Sequence, residues 1–159
     1  MTVLDEILRL FRYEAWANRG VLESLRQLED PSRATTLFAH ILAAQQVWLA
    51  RIRGEDVTRF DVWPGATLKE CQRWLDEMAA ALDEYLAGLT DAELRRGVTY
   101  RPTFRNADQR EFRNTPLEIL QHVALHSHYH RGQIAAHIRD AGGEPATTDF
   151  MIYLRESQG

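Results

Sequence analysis

The chain has 159 residues, 45% of them hydrophobic and 26% charged, with a formal net charge of −4. This is an ordinary globular composition, and the length encloses a core without a disulfide or a structural metal. The acidic balance and the lack of a Lys/Arg block argue against a nucleic-acid interface, and the single cysteine, Cys71, excludes an intrachain disulfide and a thiolate-rich metal site.

One domain over residues 1–159 is expected. The opening MTVLDEILRLFRYEAW carries acidic residues early and has no basic leader region, so a signal peptide is not expected. No apolar run has the length of a bilayer span, so no membrane is expected as partner. Together with the cysteine usage this points to a cytoplasmic protein.

The first predicted helix is capped by Thr2 with Asp5 and carries Leu4, Ile7, Leu8, Phe11, Ala15, Leu22, Leu25 and Leu28 at helical spacing. It ends near Glu29-Asp30-Pro31. The second runs from about Ser32 to Arg53, with a stripe of Leu37, Ile41, Ala44, Trp48 and Ile52 and a stop at Gly54. His40 lies one position off the centre of that stripe. Residues 55–66 form a loop turning at Pro64-Gly65.

Thr67-Leu68-Lys69-Glu70 is a capping box that opens the third helix. Its buried face is expected to carry Leu68, Cys71, Trp74, Leu75, Met78, Leu82, Tyr85, Leu86 and Leu89. Residues 97–113 then change character and read as a short extended excursion or hairpin. Its turn falls at Asn106-Ala107-Asp108, and Pro102 confines it to an edge or a bulge.

The fourth helix starts at Thr115-Pro116-Leu117-Glu118, a capping box with proline in the first turn. It runs to about Asp140 or Ala141 and stops at Gly142-Gly143. The tail TTDFMIYLRESQ adds one short helix. These elements predict an all-α four-helix bundle with a short extended or hairpin insertion between helices 3 and 4.

The chemistry gathers in HVALHSHYHRGQ, His122 to Gln133. Taking His122 as origin at about 100° per residue, His126 falls at about 40°, His130 at about 80° and His137 at about 60°, with His128 on the opposite side. Histidines four residues apart on a helix can turn two imidazoles toward one ion, and His40 on another helix supplies a third. Three protein ligands leave coordination positions open to water or substrate. Imidazole suits zinc, nickel, copper and iron alike.

Spacing does not choose the pair within the stripe. The competing reading is a polar core network. It applies most directly to His137 and then to His122, while His128 reads as a surface or interface residue. Arg131 reads as a surface salt bridge before an anion site, Asn18 as an ordinary helix–helix polar contact, and Gly132 as a point of close helix approach. Gln133 can hold a ligand imidazole. Trp16, Trp48 and Trp74 read as core, Trp63 as a pocket wall or a cover for the bundle end, and Cys71 as a small apolar residue. Glu14, Asp61 and Asp149 are bases in principle only, so no catalytic residue is assigned.

HVALHSHYHRGQI, together with LFAHILAAQQVWLARIRGE, YEAWAN and GGEPATTDFMIYL, resembles the DinB/YfiT superfamily of DNA-damage-inducible-type proteins over nearly the whole chain. The resemblance implies a four-helix bundle, commonly a homodimer, holding a divalent metal, zinc or nickel, through three histidines. The family's ligands fall on His40, His126 and His130. His122 matches a position one turn earlier that often holds histidine without ligating. The implied activity is metal-dependent transfer of a low-molecular-weight thiol to a small-molecule substrate. The alternatives are a non-catalytic metal-binding stress-response protein and a metal-dependent hydrolase.

Overall fold

In a computed structural model, residues 1–102 and 110–158 are described. In chain order they form α1 (Val3–Arg26), α2 (Ser32–Ile52), α3 (Leu68–Ala87), α4 (Asp91–Leu94), β1 (Val98–Tyr100), β2 (Phe112–Asn114), α5 (Pro116–Asp140) and α6 (Phe150–Glu156). The class is all-α, with one small strand pair.

The helix starts follow local chemistry. Thr2, Thr67 and Thr115 each accept a hydrogen bond from the backbone N–H three residues on, and Asp5, Glu70 and Glu118 reach back to the cap. Each such cap is worth about 1 kcal/mol. A fourth box, Thr90 with Glu93, opens α4, a single turn between the third helix and the strand pair that was not expected from the sequence. α2 and α5 are each followed by a glycine in the left-handed region, Gly54 at φ 73° and Gly142 at φ 78°, where a side chain would be strained.

β1 and β2 pair antiparallel, with Val98 opposite Asn114 and Tyr100 opposite Phe112. The hairpin insertion is therefore present, and the turn expected at Asn106–Asp108 lies outside the described residues.

α2 packs on α5 and α3, and α1 packs on α3 and α5. The interior divides along the helix axes. One apolar cluster includes Phe11, Leu49, Ile52, Leu82, Leu86 and Leu120, and a second includes Leu22, Leu25, Phe38, Ile41, Leu75 and Ile138. Between them the sequence places a polar layer: Glu14, Asn18, Gln45, Ser127 and Arg131 are all buried. Among the described residues, no helix is long and apolar enough to cross a membrane.

Candidate metal centre

α2 carries His40, and α5 carries His126 and, one turn on, His130. One ring nitrogen from each lies within 4.8 Å of the others, the only such group of His, Cys, Asp or Glu found among the described residues. Nε2 of His40 is 3.1 Å from Nε2 of His126.

Two of the rings are held from behind. Nδ1 of His40 donates to the carbonyl of Val62, in the loop after α2. A carbonyl only accepts, so the proton sits on Nδ1 and Nε2 keeps its lone pair. Nδ1 of His130 donates to Oε1 of Gln133 at 2.7 Å, which likewise leaves Nε2. Trp63 stacks on the His40 ring, with centroids 3.7 Å apart and planes 3° apart, and meets His130 edge-on at 6.2 Å. Asp61 fixes that loop by accepting from the Trp63 backbone N–H at 2.9 Å.

Burial first, and then the neighbouring His130, His40 and His122 rings, push the His126 imidazole down to about 4. Burial also lowers His40, against the opposing effect of its bond to Val62. Both rings are therefore neutral at pH 7, the form that binds a metal. Two imidazole nitrogens on one tetrahedral zinc, each bonded at about 2.0–2.1 Å, stand roughly 3.3 Å apart, so the His40–His126 pair already has the required spacing. The donor set is all nitrogen, suited to borderline divalent ions.

The other expected residues divide. Gln133 orients a histidine, and Asn18 is a helix–helix polar contact. Cys71 is fully buried, and burial raises its thiol to about 11, so it is no nucleophile. His128 is exposed. Trp48 and Trp74 are half-buried and pack against the two core clusters, Trp16 is half-buried against Tyr13 and Tyr153, and Trp63 is a wall of the centre.

Three expectations are corrected. Arg131 is not in a surface salt bridge: it and Glu14 are 2% exposed at the side chain, joined by two bonds of 2.7 and 2.9 Å. Its wheel position, about 180° from His122, points into the polar layer rather than to solvent. His122 is not a core residue but an exposed one, its ring edge-on to Trp48 at 5.2 Å and 5.8 Å from the His126 ring. Gly132 admits no neighbouring helix: it is exposed, and a Cβ there would meet nothing within 4 Å.

Of the possible bases, Glu14 is spent on Arg131, Asp61 on the Trp63 loop, and Asp149 caps α6. The Val62 carbonyl and the stack of Trp63 on His40 had no sequence signal beyond an aromatic residue in the Trp-Pro-Gly turn.

A helical protein with three converging imidazoles from two helices fits a metal-binding protein. The DinB family model matches residues 2–158, and the chain belongs to that family. It is similar to a Bacillus subtilis (strain 168) protein named Protein DinB, at 25% identity over 94% of this chain and 94% of that one.

Proposed function

We propose that this protein is a metal-dependent thiol S-transferase built on a four-helix bundle. His40, His126 and His130 would hold one divalent ion, zinc or nickel. The observation that carries this is the convergence of three histidine nitrogens, with no fourth protein ligand grouped with them among the described residues. A divalent metal supplies Lewis acidity that brings a thiol's pKa toward neutral.

The chain's part is preorganisation. Val62 and Gln133 fix two rings in the ligating tautomer, and Trp63 covers one side of the site. Thiol transfer is favoured over hydrolysis because a thiolate attacks without a general base, and Glu14, Asp61 and Asp149 are engaged elsewhere. In the overall reaction the thiol loses its proton to solvent, its sulfur bonds to an electrophilic carbon, and the displaced group leaves with the bonding pair. A reducing cytoplasm, where such thiols are kept reduced, fits this reading.

Self-association as a C2 homodimer goes with it. Leu125, Tyr129 and Met151 are 70%, 65% and 54% exposed, and Leu125 and Tyr129 share one face of α5. The test of function is the rate of thiol addition to 1-chloro-2,4-dinitrobenzene by zinc- or nickel-loaded protein against His126→Ala. A rate above the variant with at least one low-molecular-weight thiol is expected. Equal rates across a panel of thiols and electrophiles would leave only a metal-binding protein.

A further inference from the structure

Beyond the converging imidazoles, α5 carries two more metal donors in the same row. Glu118, His122, His126 and His130 follow one another at four-residue intervals. On a helix each such step turns the side chain by about 40° and rises about 6 Å, so the four form one slanting row. The row is graded in exposure. Glu118 and His122 are exposed, His126 and His130 are half-buried, and His40, which meets them from α2, is buried. The His122 and His126 ring centroids are 5.8 Å apart, and those of His126 and His130 are 4.5 Å apart.

The outer pair is held in place. One oxygen of Glu118 accepts from the Thr115 backbone N–H at 2.8 Å and from Asn114 at 3.2 Å, which fixes the carboxylate at the start of the row. The other oxygen takes no part in those bonds. His122 lies edge-on to Trp48 at 5.2 Å. Glu118 and His122 both line a cavity of about 370 Å³ where the strand pair meets α2 and α5. Arg51 lines it too but is buried, so an approaching cation meets the Glu118 carboxylate first. The other end of the row is walled by aromatic rings: Trp63 stacks on His40, and Tyr129 meets His130 edge-on at 5.1 Å. His126 joins the two ends. Its Nε2 faces Nε2 of His40, and among the described residues no hydrogen bond holds its other nitrogen, unlike those of His40 and His130. The ring can therefore pivot between His122 and the centre.

We propose that Glu118 and His122 form a transient metal site, an entry station from which a divalent ion passes through His126 to the centre. It rests on the three-histidine centre and not on the transferase reading of it. An ion held by the first imidazole meets the next donor at an effective concentration far above that of the free ion. A station on the path lowers the barrier in both directions and leaves the equilibrium unchanged.

The test is stopped-flow mixing of metal-free protein with nickel chloride, followed by quenching of tryptophan fluorescence, with Trp63 on the His40 ring as a reporter. Dissociation is followed in excess EDTA and extrapolated to zero EDTA, and Kd is measured by competition. His122→Ala is expected to slow association and dissociation together, by about tenfold, with Kd within about twofold of wild type. Glu118→Gln, which preserves the capping box, slows both by less. His128→Ala is the control, an exposed histidine on the opposite side of α5, and leaves both rates unchanged. Unchanged rates in His122→Ala, or equal slowing in His128→Ala, overturn the proposal. Faster dissociation with a matching rise in Kd also overturns it, because that is the mark of a resident ligand. No nickel bound by the wild type removes the station and the centre together, whereas absence of thiol transfer with these rates intact counts against the transferase reading alone. Should His122→Ala not fold, His122→Gln, which keeps a side chain against Trp48, decides by the same rates.

Discussion

Glu14→Ala tests the polar layer most directly. The Glu14 carboxylate is 2% exposed and meets both terminal nitrogens of Arg131, at 2.7 and 2.9 Å. Asn18 accepts a further bond from Arg131 at 3.1 Å. Removing the carboxylate leaves a buried guanidinium with only neutral partners. Breaking one side of a buried pair costs about 3–5 kcal/mol, because the remaining charge has lost both its counter-charge and its water. For a chain of this size each kcal/mol moves Tm by about 2–4 °C, so a fall of roughly 6–20 °C is expected. The measurement is thermal and urea unfolding by far-UV circular dichroism, with chelator present so that bound metal adds no linkage. Glu14→Met combined with Arg131→Met removes both charges and should recover most of the loss. A loss below about 1 kcal/mol in Glu14→Ala, the size expected of an exposed pair, would refute the description of this layer.

The remaining predictions concern the histidine centre. His40→Ala, His126→Ala and His130→Ala should each abolish stoichiometric zinc or nickel in purified protein by elemental analysis, while His122→Ala keeps it; metal lost equally from all would break the assignment of ligands. Gln133→Ala should weaken zinc by about 10–100-fold in a competition titration at unchanged Tm of the metal-free protein, since it frees the His130 ring without touching the core. In metal-free protein the His126 resonance should titrate near 4 by NMR, and a midpoint near the ordinary histidine value would contradict its burial. The sign follows from linkage: the unfolded chain takes up the proton first, so stability is full above about pH 6.5 and declines as pH falls toward 4. His126→Ala should flatten that decline in urea unfolding.

Much of this was legible because it is local. The Thr-x-x-Asp/Glu boxes and the stopping glycines mark the long helices within a residue or two, and the change of pattern after residue 97 marks the strand pair. Angles on α5 were also legible. The environment at each angle was not. Leu120, Val123, Ser127, Arg131, Ile134 and Ile138 are buried, so the core side of α5 lies at roughly 100–180° from His122 on the helical wheel. A charged residue among apolar ones at that angle reads as exposed until its partner is known. That partner, Glu14, is 117 residues away in sequence, a long-range pairing no local pattern carries.

The same offset explains why the centre can act. Histidines at about 0–80° sit at the flank of α5 rather than over the core. His126 and His130 are half-buried there, and His122 is exposed. A fully buried trio would be neutral but closed to a substrate. A fully exposed one would be open, but its rings would protonate near ordinary histidine values and compete with the metal. The flank gives partial desolvation, which drives His126 down to about 4, and keeps one side accessible. The buried Glu14–Arg131 pair lies behind it at the same level and holds α1 against α5. It thus supplies the fixed floor against which the spacing of His126 and His130 from His40 on α2 is set.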